Sequence, residues 1–121
     1  MLSRGNAWAK NAPLIIAAVT ETELGCRRTG RDYHSLDIGL SMENMLLQGI
    51  HLGLVMHPIA GFDEAGMKEL LGVPDPFRIF ALIIVGHPGV PEHVDAITLQ
   101  KEAEKPERLP LDQIAFFETW D

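Results

Sequence analysis

Residues 57–85 read HPIAGFDEAGMKELLGVPDPFRIFALIIV, and this stretch sets out a loop, a short helix and a strand in that order. Its first proline and first glycine break a helix and predict a loop. Asp63 is a suitable N-cap for a helix over residues 64–71, and Gly72 is suited to end that helix. The continuous apolar, β-branched run over residues 77–85 then predicts a buried strand.

Another buried strand is predicted upstream, where residues 14–20 form the apolar run LIIAAVT directly after Pro13. We expect this strand to be buried on both faces. The polar stretch over residues 21–31 predicts a loop that carries three arginines just ahead of a helix. Two strands do not make a stable sheet alone. Further strands must therefore come from the tail and a partner, or the chain is part of a larger architecture.

A long helix is predicted over about residues 32–55, and its apolar side chains fill one broad face and most of the remainder. A helix that is apolar nearly all round must be buried on both sides. In a chain of 121 residues this requires either complete wrapping of the helix or a partner subunit, and we favour the partner.

The C-terminal part is more polar, with a charged stretch over residues 101–108. Apolar residues then recur at helical spacing within residues 109–120, and they are Leu111, Ile114, Phe117 and Trp120. The length suits a single domain over residues 1–121.

Composition restricts the class of function. The 10 basic and 17 acidic residues give a net charge of −7, which argues against a nucleic-acid binder and favours small-molecule or protein partners. Cys26 is the single cysteine, so we interpret it as a reduced thiol without a role. The histidines show no spacing typical of a metal site. Because no apolar run is long enough for a membrane span or a signal peptide, we expect a cytoplasmic protein without membrane contact.

Short motifs follow one another in a fixed order along the chain. They are Asn-x-Trp and Ala-Pro before the first strand, Asp37-x-Gly39 and Glu43-Asn44 in the long helix, the loop over residues 58–63, Gly86-His87-Pro88 after the later strand, and Arg108-Leu109-Pro110-Leu111. This ordered set resembles the nitroreductase family of FMN enzymes over about residues 6–120. The resemblance implies an α+β fold of nitroreductase type. It has a mixed sheet flanked by helices, with a long buried central helix at a homodimer interface.

The resemblance also implies a chemistry. FMN at the subunit interface takes hydride from NAD(P)H and passes it to a small oxidised acceptor, such as a nitroaromatic, a quinone or an enone, in ping-pong fashion. In the family, residues matching Ala60 and Gly61 offer backbone amides near flavin N5 and O4, while Pro58 and Ile59 pack on one ring face. A glycine suits this position because it has no Cβ to block the approach of the backbone.

Three further residues are assigned to the cofactor by the same resemblance. Asn6 resembles an asparagine that hydrogen-bonds the pyrimidine edge of the flavin. Arg108 resembles a late arginine that contacts the FMN phosphate, for which a guanidinium is well suited, and Lys105 is a second candidate nearby.

Family members begin with a segment carrying Arg-x-Ser-x-Arg-like residues that hold the phosphate and the ribityl chain. Met1 lies almost at the Asn-x-Trp lead-in, so we expect half of that phosphate clamp to be missing. The cluster Arg27, Arg28 and Arg31 is interpreted as a solvated loop, with a substitute phosphate site as the alternative. The alternative function is a non-catalytic, truncated homologue that acts as a dimerisation or regulatory partner without flavin. A third interpretation is a start placed too late in the gene.

Overall fold

The computed structural model describes residues 1–89 and 94–120, in which strands and helices follow one another along the chain. The strands are β1 (Leu14–Thr20), β2 (Arg27–Arg28), β3 (Arg31–Asp32), β4 (Val55–Ile59) and β5 (Arg78–Gly86). The helices are α1 (His34–His51), α2 (Glu64–Leu71) and α3 (Ala96–Ala103), with 3-10 segments at Arg4–Asn11, Thr22–Leu24 and Leu111–Gln113. The chain divides into two units, Met1–Pro88 and Gly89–Asp121. The single domain over residues 1–121 stays a prediction.

Strand β5 is the centre of a three-stranded sheet with the order β1-β5-β4. Both neighbours run antiparallel to it, so the sheet in this chain is antiparallel and the expected mixed sheet is wrong for the described residues. Residues 81–85 are all buried, and Ile83 has no exposed surface. The predicted strand over residues 77–85 is therefore confirmed, with both ends displaced by one residue.

The third strand, β4, lies where the sequence predicted the end of the long helix and the start of a loop. Helix α1 ends at His51, and the chain turns at Gly53, whose φ of 74° is in the left-handed region that favours glycine. Pro58 is tolerated inside β4 because this is an edge strand, where a missing N–H can face away from the ladder. The predicted helix over about residues 32–55 is therefore too long at both ends.

Helices cover both faces of the sheet. The 3-10 segment Arg4–Asn11 and helix α2 lie on one face, where the core is formed by Ala9, Ile59, Met67, Ile79, Leu82 and Ile84. Helix α1 lies on the other face, where buried Gly49 contacts Met56 so closely that a Cβ would overlap its sulfur. Gly49 is the only buried residue of α1, and Leu14 of β1 is half exposed. Helix α1 is therefore not wrapped within this chain, and its burial against a partner subunit stays a prediction, whereas burial on both faces is wrong for β1 within this chain.

Helix α2 forms over the residues that its sequence signals predicted. The Asp63 carboxylate accepts a hydrogen bond from the Gly66 N–H at 3.2 Å, and Gly72 ends the helix with a φ of 66°. Both signals are local, which is why the sequence alone places them correctly.

Two other segments differ from the expected organisation. The predicted loop over residues 21–31 contains the hairpin of β2 and β3, next to the free and exposed Cys26. The stretch at residues 109–120 forms only the 3-10 turn Leu111–Gln113, and the last helix is α3 instead. No helix among the described residues is long and apolar enough to cross a membrane.

An ion pair fastens α2 to the start of β5. The Glu64 carboxylate accepts two hydrogen bonds from the Arg78 guanidinium, both at 2.8 Å, and a third from the Ile79 N–H at 3.0 Å. These bonds, those from Arg78 first, lower the pKa of Glu64 from its ordinary 4.5 to about 2. The pair stabilises the folded chain only while the carboxylate is ionised.

Replacing Glu64 with Gln tests this attachment through the pH dependence of unfolding. A lowered folded-state pKa adds stability above pH 4.5, and that stability is lost as the pH falls towards 2. We expect the free energy of unfolding of Glu64→Gln to be below that of the wild type at pH 7, with the gap shrinking below pH 4.5. Urea titrations at several pH values measure it, with Glu69→Gln on the exposed side of α2 as the control. A gap that stays constant down to pH 3 contradicts the assignment.

Candidate functional site

The turn after β4, residues 60–63, is held by the first residues of the chain. The Ser3 N–H donates to the Gly61 carbonyl at 3.0 Å, and the Asp63 N–H donates to the Met1 carbonyl at 2.6 Å. Leu2 and Phe62 form an isolated antiparallel bridge between these two hydrogen bonds. The turn is therefore fixed by backbone contacts to a segment almost sixty residues away in sequence.

Gly61 takes part in more than one of these contacts. Its carbonyl also accepts a hydrogen bond from the Asn6 side-chain amide at 3.1 Å. A Cβ at position 61 would lie 2.6 Å from both Asn6 Nδ2 and Ser3 Oγ. A larger residue at position 61 would therefore have to displace the Asn6 and Ser3 side chains, a constraint that the sequence did not reveal because it depends on a long-range contact.

The same turn leaves two backbone donors free. The Phe62 N–H donates to the Ala60 carbonyl at 3.1 Å, which bends the chain sharply. The N–H groups of Ala60 and Gly61 donate no hydrogen bond within residues 1–88, and Ala60 is exposed. Fixed, unsatisfied donors of this kind stabilise negative charge on a group that binds against them. The turn is therefore a candidate site for a ligand that presents a hydrogen-bond acceptor or a negative charge to these two amides.

Pro58 and Ile59 face opposite sides of β4, as neighbours in a strand must. Ile59 is 5% exposed and belongs to the core, so its side chain supports the turn from inside. Pro58 is exposed and remains available for contact with a ring. On the face of β4 opposite Pro58, the His57 ring meets Trp8, the tryptophan of the Asn-x-Trp motif, edge to face at 5.5 Å.

The predicted site residues fall into two groups. Asn6 and the run Pro58, Ile59, Ala60 and Gly61 lie together in the first unit, joined by the Asn6–Gly61 hydrogen bond. Lys105 and Arg108 lie in the second unit, between α3 and the 3-10 turn, and both are exposed. Their contact with a phosphate stays a prediction.

Comparison with known proteins relates this chain to one family. The model of the Nitroreductase family matches residues 3–87. An uncharacterized 15.4 kDa protein of Mycolicibacterium smegmatis is 36% identical over 121 residues, which cover 99% of this chain and 80% of that protein.

Solved structures agree with this relation. A structure described as the oxidoreductase containing FMN is 26% identical and superimposes with a TM-score of 0.74, over 99% of this chain. A nitroreductase family protein from Clostridium difficile 630 is 23% identical and superimposes with a TM-score of 0.68, over 91% of this chain. The chain spans 62% of the length of each of these two structures.

Adding a methyl group at position 61 tests the packing of the turn. In Gly61→Ala the new Cβ is forced against Asn6 and Ser3, and we expect a loss of about 1–3 kcal/mol in the free energy of unfolding. Gly5→Ala is the matched control, since a Cβ there meets nothing within 4 Å. Urea denaturation measures both variants. Equal free energies of unfolding for the two variants would contradict the close packing of Ser3 and Asn6 against Gly61.

Proposed function

Because the chain belongs to the nitroreductase family, we propose that it is an FMN-dependent oxidoreductase. The likeness to a solved oxidoreductase containing FMN supports the choice of cofactor. In this proposal NAD(P)H is the electron donor, and a nitroaromatic, a quinone or a related small oxidised compound is the acceptor. The bound FMN supplies the hydride transfer in both half-reactions, and the protein supplies binding and electrostatics.

The free N–H groups of Ala60 and Gly61 are the observation that carries this proposal. A flavin held against this turn would gain negative charge when it is reduced, and these two donors would stabilise that charge without having to reorganise. The hydrogen bonds from Ser3 and Asn6 to the Gly61 carbonyl hold the donors in place. The family expectation of backbone amides at these positions therefore fits the residues present.

Other residues have supporting roles in the proposal. Asn6 uses its Nδ2 on Gly61, and its Oδ1 accepts no hydrogen bond within residues 1–88, which leaves that oxygen for the N3–H of the flavin. Pro58 offers an exposed apolar surface to the ring, and Ile59 supports the turn from the core. Lys105 and Arg108 are proposed for the phosphate.

We propose a homodimer in the cytoplasm, with α1 at the interface and the flavin between subunits. Four apolar side chains of α1 recur at helical spacing, and each exposes more than half of its surface: Leu36, Leu40, Leu47 and Ile50. A contiguous exposed apolar face marks a site of protein association. The long apolar helix that the sequence assigned to a partner is thus still the interface that we favour.

The absorption spectrum of the purified protein, before and after addition of FMN and desalting, tests the function. We expect stoichiometric flavin that NADPH or NADH bleaches. We expect Ala60→Pro, which removes one N–H donor, to bind FMN about tenfold more weakly. Ala60→Ser keeps the N–H and is the matched control.

A colourless protein that is folded and does not take up FMN contradicts the proposal and favours the non-catalytic alternative. Equal affinities of the Pro and Ser variants at position 60, with both folded by circular dichroism, contradict the role of the Ala60 N–H.

A charge in the middle of the α1 face tests the dimer. Leu40 is 57% exposed, and Leu40→Glu places two buried carboxylates at the proposed interface. We expect sedimentation to show a dimer for the wild type and a monomer for this variant. Leu70→Glu makes the same change at an exposed position of α2 and should remain dimeric. A wild-type monomer at micromolar concentration contradicts the proposal.

A further inference from the structure

The hairpin formed by β2 and β3 carries two arginines whose charges are not neutralised. Its register places Arg27 opposite Asp32 and Arg28 opposite Arg31, and the two residues of the turn are Thr29 and Gly30. Directly opposed residues in such a pair have their Cβ atoms about 5 Å apart, and like charges at that position destabilise the hairpin. The hairpin therefore concentrates positive charge on a chain whose net charge is −7.

The Arg27 and Asp32 pair, which lies farther from the turn, has its charges neutralised within the chain. Arg27 contacts Asp32 at 2.6 Å and Glu23 at 3.1 Å. The hydrogen bond to Asp32 raises the pKa of the Arg27 guanidinium. The pair next to the turn differs. Neither Arg28 nor Arg31 forms an ion pair or a side-chain hydrogen bond within residues 1–88, and both are exposed.

The turn between the two arginines is strained. Thr29 has a φ of 50° and Gly30 a φ of 77°, which is the pattern of a type I′ turn. Asparagine, aspartate or glycine suits the first position, and a β-branched residue there is an outlier. Such strain points to a role for Thr29, which carries a hydroxyl and lies between Arg28 and Arg31 along the chain.

A concavity lies on one side of the hairpin, next to one of the two arginines. Its volume is about 370 Å³, and it is lined by Arg28 and Thr29 together with Arg27, Gly30 and Asp32, whereas Arg31 is not part of this lining. Strand β1 ends at Thr20 opposite Arg78, and β4 ends at Ile59 opposite Leu82, so both run towards the same end of the sheet. The hairpin therefore follows β1 at the end of the sheet where the turn over residues 60–63 follows β4.

We propose that Arg28 and Arg31, with the Thr29 hydroxyl, bind the phosphate monoester group of a nucleotide. A phosphate dianion between the two guanidinium groups removes their mutual repulsion and accepts bidentate hydrogen bonds from each. The phosphate belongs either to FMN, in which case the hairpin takes the role proposed above for Lys105 and Arg108, or to the 2′-position of NADPH. The choice between these two sources rests on the function proposed above. The charge and the geometry of the hairpin are independent of that function.

Calorimetric titration of the full chain with two matched pairs of ligands tests the site. One pair is FMN and riboflavin, and the other is adenosine 2′-phosphate and adenosine. We expect the phosphate-bearing member of one pair to bind more tightly than its phosphate-free partner. In Arg28→Gln/Arg31→Gln this advantage should fall about tenfold or more. The pair that shows the effect identifies the source of the phosphate.

The control variant, Arg4→Gln/Lys10→Gln, removes the same charge from exposed positions of the lead-in segment. It should leave the advantage of the phosphate unchanged. The site is wrong if neither pair shows an advantage in the wild type, or if the control variant loses as much as the hairpin variant.

The outcomes also separate this site from the proposed function. Binding of adenosine 2′-phosphate that depends on the two arginines, without uptake of any flavin, supports the hairpin and contradicts the flavin function. Equal binding of FMN and riboflavin, together with no effect of adenosine 2′-phosphate, contradicts the hairpin and leaves the flavin function standing.

Discussion

The two hydrogen bonds that Ser3 and Asn6 donate to the Gly61 carbonyl are the constraint on which the candidate site depends. They tie the start of the chain to the turn between β4 and α2, and the absence of a side chain at Gly61 is what allows the approach. The N–H groups of Ala60 and Gly61, in contrast, are left without partners in the first unit. The hydrogen bond from the Asp63 N–H to the Met1 carbonyl extends these contacts to the N-cap of α2.

The family and the nitroreductase-type fold were predictable from the order of short motifs, and the comparisons confirm both. Helix α2 and strands β1 and β5 were also placed within one residue, because their signals are local and strong: a cap, a terminating glycine, and runs of β-branched residues. Two of the predicted site residues, Asn6 and Gly61, are joined by a hydrogen bond, and the role of the whole set in binding a cofactor stays a prediction.

What the sequence missed depends on contacts between distant residues. Strand β4 contains Pro58, and only its edge position, which a sequence does not reveal, makes that acceptable. The short β2–β3 hairpin has two residues per strand and lacks the usual Asn-Gly or Asp-Gly turn. For α1 and β1, apolar composition did not distinguish the residues that this chain buries from those that it leaves exposed. The exposed leucines of α1 are the clearest example.

The amide resonances of Ala60 and Gly61, followed by NMR while FMN is added to the protein, test the central claim most directly. Both resonances should shift, and both N–H groups should become protected from exchange with solvent. The Phe62 N–H, which already donates to Ala60, should change less. Unchanged Ala60 and Gly61 resonances in a folded protein that has bound FMN would contradict the account, since the flavin would then lie elsewhere.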